Sequence, residues 1–327
     1  MMSEMGLNAA RAAVIVFAAL GATGAQAQDF PNRAIRIVVP SPPGGGTDIV
    51  ARHIAQRLTV KFGQPVVVEN RTGAGSLVGT DFVAKAPGDG YTVLMGGLFN
   101  MVMNSALIKN LPYDPIRDFT VVDYISAYPF ILLARKDLPV ATLADFAAYA
   151  KQRPGQLNYA SAGLGTLQHV WGAILTKSMG LDLQHIPYRG AAAAQQDMIG
   201  GRVDVLFDNL SSAKQLVQSG QLKGLAVSSE ARTKALPDVP TIIETGVTKF
   251  TGESWFGMFA PQATPQTALD ALRKAVASVT ADPEFVAAIE RDAGRILSIP
   301  PADRAAWLKH EVERWSAMVA QFGVQAQ

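Results

Sequence analysis

Residues 37–48 read Ile-Val-Val-Pro-Ser-Pro-Pro-Gly-Gly-Gly-Thr-Asp, and 49–63 continue Ile-Val-Ala-Arg-His-Ile-Ala-Gln-Arg-Leu-Thr-Val-Lys-Phe-Gly. A β-branched run, a proline–glycine loop and an apolar pattern of helical spacing predict a buried strand, a tight turn and an amphipathic helix. Thr47 is a residue type that caps a helix start, and Gly63 can end the helix predicted over 47–62. Ala51, Ile54, Ala55, Leu58 and Phe62 fall on one face of it. Glycines let a backbone approach a ligand, because no Cβ intervenes, and free N–H groups at a helix start attract anions. The stretch therefore predicts an anion-accepting loop after the first strand.

The same alternation continues outward. Strands are expected over 65–69 and 92–97, with a helix over 76–86 between them, giving the βαβαβ unit of a parallel sheet covered on both faces. A second unit follows an extended apolar stretch over 119–134. Thr142 is placed to cap a helix over 143–153, with Asp145 in its first turn. Strands are then expected over 157–161, 182–188, 203–207 and 222–228, and helices over 163–179, 191–199 and 212–218. The tail adds a strand over 254–259, helices starting at Thr264-Pro265 and Asp282-Pro283, and a last helix over 302–322. Its stripe of Leu308, Val312, Trp315, Val319 and Phe322 reads as core packing.

Two such units predict an α/β clamshell of two lobes, each a mostly parallel sheet flanked by helices. Lobe 1 takes 28–124 plus 255–327 and lobe 2 takes 125–254. Crossovers near 125–129 and 254–257 act as the hinge. Ligands of open parallel sheets sit at the carboxyl ends of strands, so the loops at 42–46 and 163–165 can face one cleft. Arg11, the apolar run over 12–20 and Ala25-Gln26-Ala27 read as a secretory signal peptide over 1–27.

The composition narrows the function. Of 327 residues, 49% are hydrophobic and 17% charged, the formal net charge is +2, and there is no cysteine. That suits real cores without disulfides and, with no basic block, argues against nucleic acid. The loop at 42–46 lacks the endings that bind nucleotides. His53, His169, His185 and His310 show no metal-ligand spacing. Ser161, His169 and Asp208 could form a nucleophilic triad only through the fold, since no Gly-x-Ser-x-Gly elbow is present. No cofactor or metal is expected, and a monomer is. The stretch Tyr159-Ala160-Ser161-Ala162-Gly163-Leu164-Gly165-Thr166 is a second loop able to fork around a carboxylate with amides and hydroxyls.

These motifs, taken in order, resemble the Bug family of periplasmic solute receptors, the TctC-like binding components of tripartite tricarboxylate transporters. The resemblance rests on 37–48, Val-Val-Val-Glu-Asn-Arg-x-Gly-Ala-Gly at 66–75, and Leu-Pro-Tyr-Asp-Pro-x-x-Asp-Phe at 111–119. It continues through Tyr-Ala-Ser-x-Gly-x-Gly-Thr-x-Gln-His at 159–169, Ile-Pro-Tyr-Arg-Gly at 186–190, Val-Asp-Val-Leu-Phe-Asp-Asn at 203–209 and Leu-Pro-Asp-Val-Pro-Thr at 236–241. It implies capture of a di- or tricarboxylate or an aromatic acid without catalysis, and delivery to integral-membrane permease subunits. A sensory module docking a membrane sensor, or an exported enzyme on the same scaffold, are the alternatives.

The resemblance further implies that Ser41, Pro42, Gly45, Gly46, Thr47 and Asp48 hold the ligand carboxylate from lobe 1. Ser161, Gly163, Gly165, Thr166 and His169 would do so from lobe 2. Asp208 would orient the distal end. Independently of the resemblance, Tyr188-Arg189-Gly190 starts a loop at a strand end, which makes Arg189 the nearest candidate counter-charge, with Tyr188 beside it. Two departures stand out. The family usually carries an aromatic where Ser41 stands. Its Ser/Thr-rich third loop is replaced by Leu98-Phe99-Asn100-Met101-Val102-Met103-Asn104-Ser105, where only Asn104 keeps the family identity. We expect Phe99, beside Asn100, to supply the missing ring and the ligand to have an apolar or aromatic body. Core packing accounts equally well for the methionines.

Overall fold

The computed structural model describes residues 30–323, so the expected signal peptide over 1–27 lies outside the described residues. The chain begins with β1 (Ile35–Val39), α1 (Gly46–Phe62), β2 (Val66–Asn70), α2 (Leu77–Ala84) and β3 (Thr92–Gly97). β1 pairs in parallel with β2 and β3, so all three strands end at the same edge. α1 buries Val50, Ala51, Ile54, Ala55 and Leu58 against this sheet and ends on Gly63 in the left-handed region, as its pattern predicts. A turn of π-helix (Phe99–Met103) and the short α3 (Asn104–Leu107) follow β3 and carry the expected third loop.

β4 (Phe119–Arg135) is one strand of 17 residues. From Phe119 to Pro129 it runs antiparallel to a strand near the end of the chain; from Phe130 onward it pairs with strands of the second unit. That unit comprises α4 (Leu143–Lys151), β5 (Asn158–Ser161), α5 (Leu167–Ser178), β6 (Gln184–Pro187), α6 (Ala191–Ile199), β7 (Val205–Asn209), α7 (Leu210–Gln218) and β8 (Leu222–Val227). β5 is parallel to both β6 and β7. Thr142 and Asp145 form a reciprocal capping box at the start of α4.

The chain returns through β9 (Glu253–Pro261), then α8 (Gln266–Thr280), α9 (Pro283–Arg291), β10 (Arg295–Ile296) and α10 (Arg304–Phe322). The sheet order is β2-β1-β3-β9-β4-β7-β5-β6, with β8 and β10 both pairing β4. Parallel pairing thus holds at the two outer portions, while the two crossovers, β4 and β9, are antiparallel partners of each other at the centre. Asp282 caps α9 through its side chain, but α8 has Pro265 at its cap position and no side-chain cap.

One apolar core runs through both units. α10 lies across it, packing on the π-helix and α3 at one end and on α5 at the other. Trp315 stacks on Trp171 of α5 at 5.0 Å and 8°, and Glu311 accepts from the indole N–H of both Trp255 and Trp315. The expected stripe of the last helix is therefore core: Leu308, Trp315 and Val319 are buried, and Val312 and Phe322 pack against them.

Candidate functional site

A cavity of about 570 Å³ opens between the two units. Its first wall is the edge where β1 and β3 end: Ser41, Gly46, Thr47 and Ile49 from the first loop and α1, and Gly97, Leu98, Phe99 and Asn100 after β3. Its second wall is Thr166, Leu167 and Gln168 at the start of α5, with Asn209, Ser211 and Ser212 at the start of α7. Between them, Tyr128 and Phe130 of β4 and Ser254 and Phe256 of β9 form the floor, with Asp292 beside it. The loops at 42–48 and 161–166 thus reach one crevice, from opposite sides.

The first loop differs from expectation at its cap. Thr47 does not cap α1; the cap position is Gly45, at φ −75° and ψ 163°, and no side chain caps it. Asp48, one turn in, takes over the anchoring. Its Oδ2 accepts from the Gly44 amide and from Arg52 Nε, each at 2.9 Å, and its Oδ1 accepts from Asn70 Nδ2 at 2.9 Å. Asn70 also donates to the Ser41 carbonyl. The Arg52 bond, with the Gly44 and Asn70 bonds, holds the Asp48 carboxyl at about 2 against the opposing effect of burial. Gly44, at φ +82°, permits the turn that brings its amide round to Asp48. Gly45 N–H goes to the Pro42 carbonyl. Among the described residues the N–H groups of Gly46 and Thr47 keep no partner, at the positive end of α1, on the cavity wall. Ser41 Oγ is likewise buried without a hydrogen-bond partner among the described residues.

The second loop also starts its helix later than expected. Gly163 and Gly165 hold positive φ, which a helix cannot pass through, and the cap is Thr166. Its Oγ1 donates to the Gly163 carbonyl at 2.7 Å and accepts from the His169 amide at 3.3 Å. Among the described residues the amides of Leu167 and Gln168 have no partner, again on the cavity wall. Two helix starts from opposite units therefore aim unpaired donors into one space. Among the described residues no lysine or arginine lines it, so its attraction for anions rests on main-chain N–H groups.

Several aromatic rings stand on the cavity wall. Phe99 lines the cavity. Phe256 lies closest to the first loop: a Cβ on Gly46 would stand 3.4 Å from its ring. Tyr128 packs on Phe256 at 5.8 Å. Phe256 and Trp255 alternate across β9, Trp255 inward to the core and Phe256 to the cavity; the strand period was the signal that could have found it. Gln168, Asn209, Ser211, Ser212, Tyr128, Phe130 and Asp292 were not foreseen, because their role depends on which strand edges meet.

Several expected contacts stand behind the walls. Pro42 and Gly45 shape the turn, and Asp48 anchors it, but none lines the cavity. Asn100 is on the wall with its amide engaged: Oδ1 accepts from Gly97 N–H and Nδ2 donates to Thr80. Ser161 is fully buried and bonded to His185 Nε2 at 2.8 Å. Tyr188 gives its hydroxyl to Asp197. Asp208 is fully buried, accepting from Gln195 Nε2 at 2.6 Å, from Asn209 N–H at 2.8 Å and from Ser212 Oγ at 3.3 Å; burial pushes its carboxyl above the ordinary range. Arg189 is exposed and makes no hydrogen bond or ion pair among the described residues, while Asp208 is held by Gln195, Asn209 and Ser212, so the two do not pair. The three members of the candidate triad hold separate partners, since His169 is bonded through Nδ1 to the Gly165 amide. Among the described residues there is no cluster of metal-ligand side chains.

Two strand-and-helix units joined by paired crossover strands, with donors from both meeting in the cleft, define a solute-binding protein of the two-lobe clamshell class. The family profile for the tripartite tricarboxylate transporter family receptor, TctC, matches residues 50–324, and the chain belongs to that family. The chain is 35% identical over 327 residues to the UPF0065 protein of the tcbD-tcbE intergenic region of Pseudomonas sp. (strain P51), covering 99% of this chain and 97% of that one. Among solved structures it is similar to R. palustris Rpa4515 with adipate, at TM-score 0.79 and 34% identity, covering 91% of this chain and 99% of the other. It is also similar to MatC (Rpa3494) from Rhodopseudomonas palustris with bound malate, at TM-score 0.74 and 32% identity, covering 89% and 100%. The resemblance read from the motifs is borne out.

Proposed function

We propose that this receptor captures a small carboxylate with an apolar body, works as a monomer in the periplasm after loss of residues 1–27, and hands the ligand to integral-membrane permease subunits. The carrying observation is the pair of amide sets that have no partner among the described residues, Gly46 and Thr47 from one side and Leu167 and Gln168 from the other, beside Phe99 and Phe256. Three or four charge-assisted bonds of ~1.5–3 kcal/mol each, less the ordering cost, support roughly micromolar affinity. The rings add ~25 cal/mol per Å² of ligand surface they cover. Adipate in one relative has such a body; malate in the other is shorter and more polar. A ligand bridging both walls binds the closed form better and shifts the population toward it. The hinge we assign to 125–129 and 254–257, where β4 leaves β9 for the second unit. The lobes then take 28–124 plus 255–327 and 125–254.

The test is a thermal-shift panel of adipate, longer aliphatic acids, aromatic acids, malate and citrate, with native mass spectrometry to detect copurified ligand. A ligand at 100 times its Kd adds ~2.7 kcal/mol. Stabilisation by malate or citrate alone would refute the apolar body. A ligand-free preparation that no carboxylate stabilises would refute the receptor reading.

A further inference from the structure

Three rings stack behind the second glycine loop. His169 of α5 lies 4.3 Å from His185 of β6, centroid to centroid and at 17°, and His185 lies 4.7 Å from Tyr159 of β5. Each imidazole grips the loop through one nitrogen. The Gly165 amide donates to His169 Nδ1 at 3.1 Å. His185 Nε2 bonds Ser161 Oγ, which also accepts from the Gly163 amide at 3.2 Å. An Nδ1 that accepts an N–H carries no proton, so His169 is neutral with its proton on Nε2. Protonating Nδ1 would set one N–H against another and break the bond to Gly165. The start of α5 also disfavours a cationic ring.

We propose that His169 is a positioning residue for the ligand: neutral, stacked on His185 and bonded to Gly165, it holds residues 162–166 in the shape that leaves the Leu167 and Gln168 amides open to the cavity. The inference rests on the reading of that loop as a ligand contact. Burial lowers the His169 imidazole below its ordinary value, and burial, then the nearby His169, brings His185 to about 4. Titratable and charged groups on the packed elements include Tyr159 on β5, His185 on β6, Asp208 on β7 and, on α10, Glu311 with its ion-pair partner Arg314. Asp208 is engaged by Gln195, Asn209 and Ser212, and Glu311 by Trp255 and Trp315. The loop should therefore keep its shape through neutral pH and lose it only in acid.

Two measurements on the mature protein test this. The first is NMR of the ¹⁵N-labelled chain, which needs no ligand. His169 Nδ1 should be unprotonated, and the Gly165 amide shift should follow the ring's titration. A proton on Nδ1, or an amide that ignores the titration, overturns the proposal. The second is adipate titration of wild type, His169→Ala and His169→Asn. His169→Ala should weaken binding about tenfold, the worth of one hydrogen bond. His169→Asn, whose Oδ1 can accept in place of Nδ1, should recover most of that. Wild-type affinity should fall in acid more than that of His169→Asn, which cannot protonate. Unchanged binding by His169→Ala, no rescue by Asn, or wild-type affinity rising in acid (an imidazolium would attract the anion) would each overturn it. If no form binds adipate or any other acid of the panel, the receptor reading fails, while the NMR result still decides whether His169 holds the loop.

Discussion

Replacing Gly46 by proline deletes one atom's function, its N–H, at the position where the first wall meets the ligand. Proline is favoured at the first position of a helix, and Gly46 opens α1. Gly45 before it, at φ −75° and ψ 163°, already has the extended conformation that a residue preceding proline takes. The lost N–H bonds nothing among the described residues, so the fold should keep its stability or gain ~0.4–1 kcal/mol from a stiffer unfolded chain. Binding should suffer instead. One charge-assisted bond to a carboxylate is worth ~1.5–3 kcal/mol, and each 1.4 kcal/mol is tenfold in Kd, so affinity should drop about 10- to 150-fold. Gly46→Ala is the steric control, because it keeps the N–H and places its Cβ in ordinary contact with Phe256, 3.4 Å from the ring. Isothermal titration of the acid found by the panel, alongside melting curves, reads both. If the proline and alanine variants bind equally well and both remain folded, the main-chain donor at Gly46 does not hold the ligand.

Phe256→Ala removes the ring beside the first loop; if it covers ~50 Å² of ligand, affinity falls roughly tenfold, more for adipate than for malate. Equal losses for the two acids in parallel titrations would show that the ring recognises no apolar body. Asp48→Asn should lower stability by about 1–3 kcal/mol, since Gly44, Arg52 and Asn70 lose their charged partner. The Asp48 carboxyl lies at about 2 in the folded chain against an ordinary 3.8, so its contribution is full above the ordinary value and lost as pH falls toward about 2. The wild-type advantage in melting temperature should stay constant from pH 8 to 5 and shrink below about 4; an advantage growing in acid would contradict the assigned anchoring. Thr142→Ala opens the capping box of α4 and should cost about 1 kcal/mol, leaving ligand affinity untouched in the same titration. Small-angle scattering should show a smaller radius of gyration with ligand, and no compaction would exclude lobe closure.

The sequence by itself settled whatever depends on neighbours along the chain. Periodicity and turn residues located α1, β3, α4 and α6, Gly63 ended its helix, and Thr142 with Asp145 formed their box, because these signals act within a turn or two. Motif order also carried the family and the presence of glycine loops at two strand ends. Local signals misled where tertiary bonds compete. Thr47 has capping chemistry, yet Asp48, drawn by Gly44, Arg52 and Asn70, anchors the loop and leaves α1 uncapped. Gly163 and Thr166 both suit a helix start, and the bonds of Thr166 to Gly163 and His169 chose between them. Only the tertiary structure decided which residues face the cavity: Asp208 is sealed behind the wall while Phe256 and Gln168 stand on it. Sidedness follows from the pairing of β4 with β9 and β7, and those registers join partners such as Phe119 with Pro261 and Phe130 with Asn209, beyond the reach of any local pattern.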